Sequence, residues 1–324
     1  MLTRIISTGS YIPERVMTNH DLEKMVDTSD EWITERTGIK ERRIARPDQA
    51  ASDLALEAAK RALKKAQLKV DKIDLIIVAT VSGDMPLPST ACILQKKLGA
   101  VNAAAMDINA ACSGFIYALS VADAYIKSGK YKKVLVVGAE VLSKFTDWQD
   151  RTTCVLLGDG AGAAVLVPDH GRGILSVDIY SDGRLWDLLH IPAGGSVMPA
   201  SKETVEKRLH YIKMKGNETF KVAVRTLETL VIETLKKNKL KPSQLSLLIP
   251  HQANLRIIKA MAERLGLPME KVVVNLTRYG NTSAASIPVA LDEALEEGRI
   301  KEGDYIMLEA FGGGLTWGSA LIRW

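Results

Sequence analysis

The segment DINAACSGF, residues 107–115, joins two different local patterns. The apolar run 103–108 ends inside it and predicts a buried strand, and the run 115–126, which has helical periodicity, follows it. A lone cysteine, Cys112, lies at this junction, at or just before the predicted helix N-terminus. A strand that leads through a short polar turn into a helix is typical of α/β folds.

Strands and helices alternate along the whole chain. Seven apolar runs bounded by turns predict strands, at residues 73–81, 103–108, 134–137, 163–167, 245–249, 272–274 and 305–308. Helices are predicted at 52–65 and along the stripe Phe220, Val224, Leu227, Val231 and Leu235. Near-continuous apolar strands between helices predict buried, mostly parallel sheet.

The order of elements repeats, which predicts two similar α/β halves, residues 1–170 and 171–324. Cys112 lies 39 residues after the start of strand 73–81, and Asn281 lies 36 residues after the start of strand 245–249. Each half ends in a glycine-rich stretch, GDGAG (158–162) and FGGG (311–314), predicted to be a turn before a last strand. Residues 171–217 are predicted to be irregular and to cap a site.

Composition excludes several classes of protein. The chain has 324 residues, is 47% hydrophobic and 25% charged, and carries a net charge of +5, which suits acidic partners better than nucleic acid. No apolar run approaches 18 residues, and no signal peptide is expected. Three dispersed cysteines without a CxxC pair indicate free thiols in a reducing, cytoplasmic compartment, with no zinc site.

Cys112 has two interpretations. At a helix N-terminus, unpaired N–H groups and the helix dipole would lower its pKa and favour a nucleophilic thiolate. A single cysteine can equally be a small buried hydrophobe. For Cys92 and Cys154, which lie inside apolar patterns, the buried interpretation is preferred.

Three further stretches carry polar groups or glycines at element ends. His251 follows strand 245–249, where α/β folds collect ligands, although it could also be a packed or capping residue. Asn281 lies in a tight turn before a helix predicted at 284–296, where it or Thr282 could simply be an N-cap. FGGG permits close backbone approach to a ligand or a tight turn. GDGAG is not a dinucleotide motif, because Ala163 stands where a glycine is required and a strand follows.

Several motifs together resemble the β-ketoacyl-acyl-carrier-protein synthase III family, whose members initiate bacterial type II fatty acid synthesis. The resemblance runs nearly end to end and is carried by DTSDEWITERTGI (27–39), AACSGF (110–115), GDGAGAAVL (158–166), PHQANLRI (250–257), GNTSAAS (280–286) and EAFGGGLTWGSAL (309–321). It implies a thiolase-like fold of two α/β halves in α-β-α-β-α layers. It also implies a homodimer that uses acyl-CoA and malonyl-acyl carrier protein (malonyl-ACP) without a metal or redox cofactor.

The resemblance assigns roles to matching positions. Cys112 would be the acylated nucleophile, with His251 and Asn281 as its partners in condensation. The N–H groups of Cys112 and Gly313 would form the oxyanion hole. The positions implied for coenzyme A binding or the active centre are Thr28, Trp32, Arg36, Arg151, Asn254 and Phe311, and those for carrier docking are Lys221 and Arg256.

Two departures from the family pattern bear on specificity. Glu263 and Arg264 stand where better-known members have two lysines in the docking helix, so the carrier surface is expected to differ. Leu87 stands where many members have a phenylalanine that enters the partner subunit's acyl pocket. A smaller side chain there predicts tolerance of longer or branched primers, since one methylene discriminates by about 1–3 kcal/mol.

Other functions remain as alternatives. Elongating synthases use Cys-His-His and thiolases use a second catalytic cysteine. Asn281 occupies the third position here, and Cys92 and Cys154 lie in strand or helix patterns, which disfavours both. A related Cys-His-Asn condensing enzyme of secondary metabolism fits the same motifs. A papain-like hydrolase shares the chain order Cys, His, Asn, but would require a Cys-Gly-Ser-Cys-Trp stretch and disulfides. A non-catalytic acyl-binding subunit would be expected to lack Cys112.

Overall fold

The computed structural model describes all 324 residues. The strands are β1 (Leu2–Tyr11), β2 (Arg15–Thr18), β3 (Glu41–Ile44), β4 (Leu75–Ala79), β5 (Ala104–Ile108), β6 (Val134–Val141), β7 (Asp159–Asp169), β8 (Gly173–Ser181), β9 (Leu189–His190), β10 (Lys213–Met214), β11 (Leu247–Pro250), β12 (Tyr305–Gly312) and β13 (Thr316–Arg323).

The helices are α1 (Asn19–Glu23), α2 (Asp30–Thr37), α3 (Ala51–Lys65), α4 (Thr90–Leu98), α5 (Gly114–Lys127), α6 (Arg151–Cys154), α7 (Lys202–Glu206), α8 (Gly216–Lys237), α9 (Leu255–Arg264), α10 (Leu276–Tyr279) and α11 (Ser286–Glu296). Short 3₁₀ turns include Ala111–Ser113, before α5, and Ser283–Ala285, before α11. The predicted helices at 52–65, 115–126 and 284–296 therefore form within a few residues of their expected bounds.

Two sheets carry the fold. The first has the order β1-β7-β6-β4-β5, and the second has the order β11-β12-β13-β8. The strands β6, β4 and β5 are parallel, as are β11 and β12. Because parallel neighbours end at the same edge, the residues after β5 and after β11 are carried to the edges where ligands collect.

The sheets and helices form five layers. Helices α3 and α4 pack with the outer face of the first sheet, and α8 and α9 pack with the outer face of the second. Helices α5 and α11 lie between the sheets in a shared core that takes Ile77 and Val136 from one sheet and Ile249 and Leu308 from the other. This α-β-α-β-α arrangement confirms the predicted thiolase-like fold class.

Three local predictions are wrong. The sheets are mixed rather than mostly parallel, since β7 and β13 pair antiparallel with both their neighbours. GDGAG belongs almost entirely to β7; a Cβ on Gly162 would lie 2.7 Å from the backbone of Pro288, so its glycine serves close helix packing and not a turn. Residues 272–274 form only an isolated bridge, Val272 to Leu248.

Residues 171–217 are more ordered than expected. They contain β8, which completes the second sheet, as well as α7 and a small hairpin in which β9 pairs with β10. The strand β8 was missed because its outer end is half exposed and polar, so it lacks a continuous apolar run. Cys92 is exposed near the start of α4, contrary to expectation, whereas Cys154 is buried; all three cysteines are free. None of the helices combines the length and apolar character needed to cross a bilayer.

Candidate active site

Cys112 lies in the 3₁₀ turn between β5 and α5. Ala111 takes a φ of 46°, a left-handed conformation that is unfavourable for a residue with a Cβ. Two hydrogen bonds hold this turn against β13. The Thr316 hydroxyl donates to Ala110 O at 2.9 Å, and the Ser113 hydroxyl donates to Thr316 Oγ1 at 2.7 Å. The thiol is thereby fixed in a buried position two residues before α5 begins.

The thiol is not acidified in the resting protein. Burial raises the pKa of Cys112 to about 11; the nearby Ser283 hydroxyl opposes this rise and the Glu140 carboxylate adds to it. The expectation of a lowered pKa is therefore wrong, because loss of hydration at a fully buried sulfur outweighs the favourable hydrogen bonds. The resting Cys112 side chain is therefore a neutral thiol.

His251 immediately follows β11, and its backbone N–H donates to Glu309 O at 2.8 Å. Its Nδ1 lies 2.6 Å from the hydroxyl of Ser286, which also accepts the N–H of Gln252 at 3.4 Å. Burial lowers the pKa of His251 to about 4, so the imidazole is neutral at physiological pH. A hydroxyl that accepts from Gln252 can also donate to Nδ1, and in that tautomer the ring proton lies on Nε2.

Asn281 connects the segment before α11 to the segment before β7. Its N–H donates to Leu156 O at 2.8 Å, and its carbonyl accepts the N–H of Gly158 at 3.0 Å. In the side chain, Oδ1 accepts the N–H of Ser283 at 2.8 Å, while the NH₂ group donates to no protein atom. Asn281 thus stabilises its own turn through Oδ1, although the N-cap position is taken by Thr282, and its NH₂ group remains a free donor.

The three glycines lie at the turn between β12 and β13. A Cβ on Gly312 would lie 2.7 Å from the Cys112 nitrogen, so only glycine lets this strand approach the nucleophile's amide. Gly313 and Gly314 line the same cavity as Cys112. Both interpretations of FGGG, tight turn and close approach, therefore hold.

Cys112 lies where two cavities meet. The first, of about 400 Å³, is mainly apolar and is lined by Val81, Leu142, Phe145, Leu157, Ile191 and Ile212, among others. The second, of about 490 Å³, is a groove that contains Trp32, Arg36, Arg151, His251, Asn254 and Phe311. Cys112 and Asn281 line both, so a thioester entering by the groove can place its acyl chain in the apolar cavity.

The outer groove combines an aromatic ring with cations. The guanidinium of Arg151 lies 5.2 Å from the centre of the Trp32 ring, and that of Arg36 lies 6.0 Å from it. An aromatic ring of this kind can stack on a planar base, and the two guanidinium groups can neutralise phosphates. Asn254 is the N-cap of α9: its Oδ1 accepts from Arg256 N and its Nδ2 donates to Arg36 O. Its side chain therefore braces the groove.

Three sequence-predicted residues lie outside the lining of both cavities. Thr28 is partly buried, and its hydroxyl has no hydrogen-bond partner. Lys221 is on the exposed side of α8, whereas Arg256 lies at the groove with its guanidinium 5.4 Å from the Phe220 ring centre. Leu87 is 84% exposed and contacts neither cavity of its own chain.

Sequence reasoning missed most of the apolar lining. Leu189, Ile212 and Met214 come from the segment predicted as irregular, and no sequence signal distinguishes them from core residues. Ser286 was also missed as the partner of His251, although it lies in the motif GNTSAAS. The described residues contain no cluster of three or more His, Cys, Asp or Glu that could hold a metal ion.

Comparison with known proteins agrees with this geometry. A family model described as 3-oxoacyl-[acyl-carrier-protein] synthase III matches residues 106–183, and one described as the C-terminal part of the same synthase matches residues 235–324.

Among similar proteins, the β-ketoacyl-[acyl-carrier-protein] synthase III of Caldanaerobacter subterraneus subsp. tengcongensis is 60% identical over 99% of this chain and 97% of its own length. The synthase III of Clostridioides difficile is 56% identical over 99% of this chain and 98% of its own length. The crystal structure of the Aquifex aeolicus enzyme superposes with a TM-score of 0.92 at 55% identity, covering 99% of this chain and 100% of the other. These likenesses favour fatty acid synthesis over the alternative in secondary metabolism. The chain belongs to the β-ketoacyl-[acyl-carrier-protein] synthase III family, acyltransferases that initiate fatty acid synthesis.

Proposed function

We propose that Cys112, His251 and Asn281 catalyse the decarboxylative condensation of a short acyl-CoA with malonyl-ACP. The observation that carries this proposal is the position of Cys112 at the meeting point of the apolar cavity and the cationic groove, with His251 and Asn281 in the same groove. The primer's acyl chain would lie in the apolar cavity, and the thioester arm of either substrate would lie in the cationic groove.

In the first half-reaction the Cys112 sulfur attacks the acyl-CoA carbonyl carbon. A new sulfur–carbon bond forms, the bond to the coenzyme A sulfur breaks, and the thiol proton ends on that sulfur. The tetrahedral oxyanion accepts hydrogen bonds from the N–H groups of Cys112 and Gly313. Each such donor is worth roughly 3–4 kcal/mol in a water-excluded site. Because the resting thiol is neutral, it loses its proton as the new bond forms, and the overall exchange of one thiol for another leaves no net charge in the buried site.

In the second half-reaction malonyl-ACP loses carbon dioxide. The electrons of the broken carbon–carbon bond form an enolate, whose oxygen accepts from Nε2–H of His251 and the free NH₂ of Asn281. The enolate carbon attacks the acyl-Cys112 carbonyl, and the sulfur leaves and takes a proton from solvent. Neutral donors aimed at the developing charge stabilise this transition state more than the ground state. No step calls for a metal or redox cofactor.

The remaining assignments are proposals that follow from family membership and placement. Trp32, Arg36 and Arg151 would hold the nucleotide of coenzyme A, with Thr28 beside them and Asn254 and Phe311 nearer the centre. Lys221 and Arg256 would meet the acidic carrier protein. Residues 1–170 and 171–324 would be the two halves of the fold, acting in the cytoplasm.

We also propose a homodimer. The strand β5 pairs only with β4, so one of its edges is free, and exposed apolar side chains lie in the segment before α4, at Met85 and Leu87. An uncovered edge strand is a ready site for pairing with a second copy. Leu87 would then reach the partner's acyl cavity.

The test is an intact-mass measurement. Wild type and Cys112→Ala are incubated with acetyl-CoA and with longer and branched acyl-CoAs, then chased with malonyl-ACP. We expect an acyl adduct on wild type alone and its conversion into 3-ketoacyl-ACP. Absence of an adduct with every acyl-CoA, or an adduct on Cys112→Ala, would contradict the proposal.

A further inference from the structure

Glu140 is a fully buried carboxylate beside the active site for which the reaction above gives no role. It is the penultimate residue of β6, and none of its surface is exposed. No Lys, Arg or His forms an ion pair with it. Burial raises the pKa of Glu140 to about 7 against the opposing effect of its hydrogen bonds. A buried carboxyl of this kind is costly unless hydrogen bonds compensate for it.

Four of the groups that compensate it come from the turn that follows β4, and the Ser283 hydroxyl also stabilises the charged form. The hydroxyl of Ser82 donates to Glu140 Oε2 at 2.5 Å, and the hydroxyl of Thr80 donates to it at 3.2 Å. The N–H groups of Val81 and Ser82 each lie 3.2 Å from the same oxygen. The same Ser82 Oγ also accepts a hydrogen bond from the N–H of Val141, the residue after Glu140, at 2.8 Å. One carboxylate therefore locks the Thr80–Ser82 turn onto the end of β6.

This turn forms a wall of the apolar cavity. Val81 lines the cavity next to Cys112, together with Leu142, which lies two residues beyond Glu140. The same turn begins the segment that carries the exposed Leu87. A shift of the turn would move the Val81 side chain relative to the acyl chain without touching Cys112, His251 or Asn281.

We propose that Glu140 is a positioning residue for primer selection: by holding the Thr80–Ser82 turn, it sets how far Val81 closes the acyl cavity. This inference rests on the proposed function, because it assumes that the apolar cavity receives the acyl chain. Loss of the carboxylate frees the Val81 N–H and two hydroxyls, while the Ser82 N–H keeps only its bond to Thr80 Oγ1, so the turn relaxes and the cavity widens. The kcat/KM for acylation by longer acyl-CoAs then rises relative to that for acetyl-CoA.

The experiment compares kcat/KM for acylation of Cys112 by hexanoyl-CoA and acetyl-CoA, with the adduct followed by intact mass. We expect Glu140→Ala to raise the hexanoyl-to-acetyl ratio about tenfold, in the same direction as Val81→Ala, since one or two methylenes of pocket space are worth that much. Glu140→Gln retains an oxygen for the Ser82 and Val81 donors and should restore the wild-type ratio within about twofold.

Asp292→Asn is the matched control. Asp292 is another buried carboxylate, held by the hydroxyls of Thr8 and Ser10 and by Lys65, and it lines neither cavity. The Asp292→Asn variant should leave the hexanoyl-to-acetyl ratio unchanged. If Glu140→Ala fails to fold, Thr80→Val removes one of the donors with little change of shape and should shift the ratio in the same direction by a smaller factor.

Three results would overturn the inference. An unchanged ratio in folded Glu140→Ala or Thr80→Val would show that the turn does not control selection. Loss of acylation by every primer in Glu140→Gln would instead identify Glu140 as a proton acceptor for the thiol. If wild type itself formed no adduct on Cys112, the proposed function would fail as well, whereas the first two results leave it intact.

Discussion

The Nδ1 atom of His251 lies 2.6 Å from Ser286 Oγ, which connects the residue after β11 to the first turn of α11. This contact orients the imidazole; when the Ser286 hydroxyl donates to Nδ1, the ring proton lies on Nε2, where an enolate oxygen can accept it. We expect Ser286→Ala to slow condensation about tenfold, the value of one hydrogen bond, and to change Cys112 acylation by less than about twofold. Single-turnover rates of the two half-reactions measure this split, and equal losses in both would contradict it.

Asn281 is expected to act through its NH₂ group. We predict that Asn281→Ala slows malonyl-ACP decarboxylation about 100-fold or more and affects acylation less. Asn281→Asp is the informative companion, because its oxygen can still accept the Ser283 N–H but it has no NH₂ to donate. It should be as slow as the alanine variant in a carbon dioxide release assay. A wild-type rate of decarboxylation in either variant would contradict the role proposed for the Asn281 NH₂ group.

Close approach of Gly312 to the nucleophile makes that position intolerant of any side chain. Gly312→Ala places a Cβ 2.7 Å from the Cys112 nitrogen and must displace the amide that we propose for the oxyanion hole. We expect Cys112 acylation by acetyl-CoA to fall about 100-fold or more. Gly195→Ala is the control, since nothing lies within 4 Å of its Cβ. Comparable acylation by the two variants would show that the close approach is not needed.

Glu309 predicts a pH dependence of stability. Both of its carboxylate oxygens are buried without a hydrogen-bond partner, and burial raises its pKa from 4.5 to about 8. Between these two values the folded state binds the proton more tightly than the unfolded state, so the free energy of unfolding falls as pH rises from about 4.5 to about 8.

The variant Glu309→Gln removes this titration. Its melting temperature relative to wild type should therefore increase between pH 5 and pH 8, as scanning calorimetry can measure. Taking the difference between the two proteins cancels the titrations they share, including those of Glu140 and His251. A difference that is constant across this range would mean that Glu309 does not carry a raised pKa.

The sequence by itself determined the layered α/β class and the order of most elements. Apolar runs such as 134–137 and stripes such as that of α8 can be buried in only a few ways, so periodicity is sufficient for them. Motifs around Cys112, His251 and Asn281 indicated a thiol site, because these residue types at strand ends have few other uses in combination.

Only the tertiary structure decided what surrounds these groups. The raised pKa of Cys112, the cavity wall at Val81 and the hydrogen bonds of Glu140 depend on segments far apart in the chain. Residues 158–162 looked like a turn because local preference does not reveal that α11 packs against Gly162. Hydration lost on burial and contact between distant segments are properties of the packed molecule, which local sequence patterns do not encode.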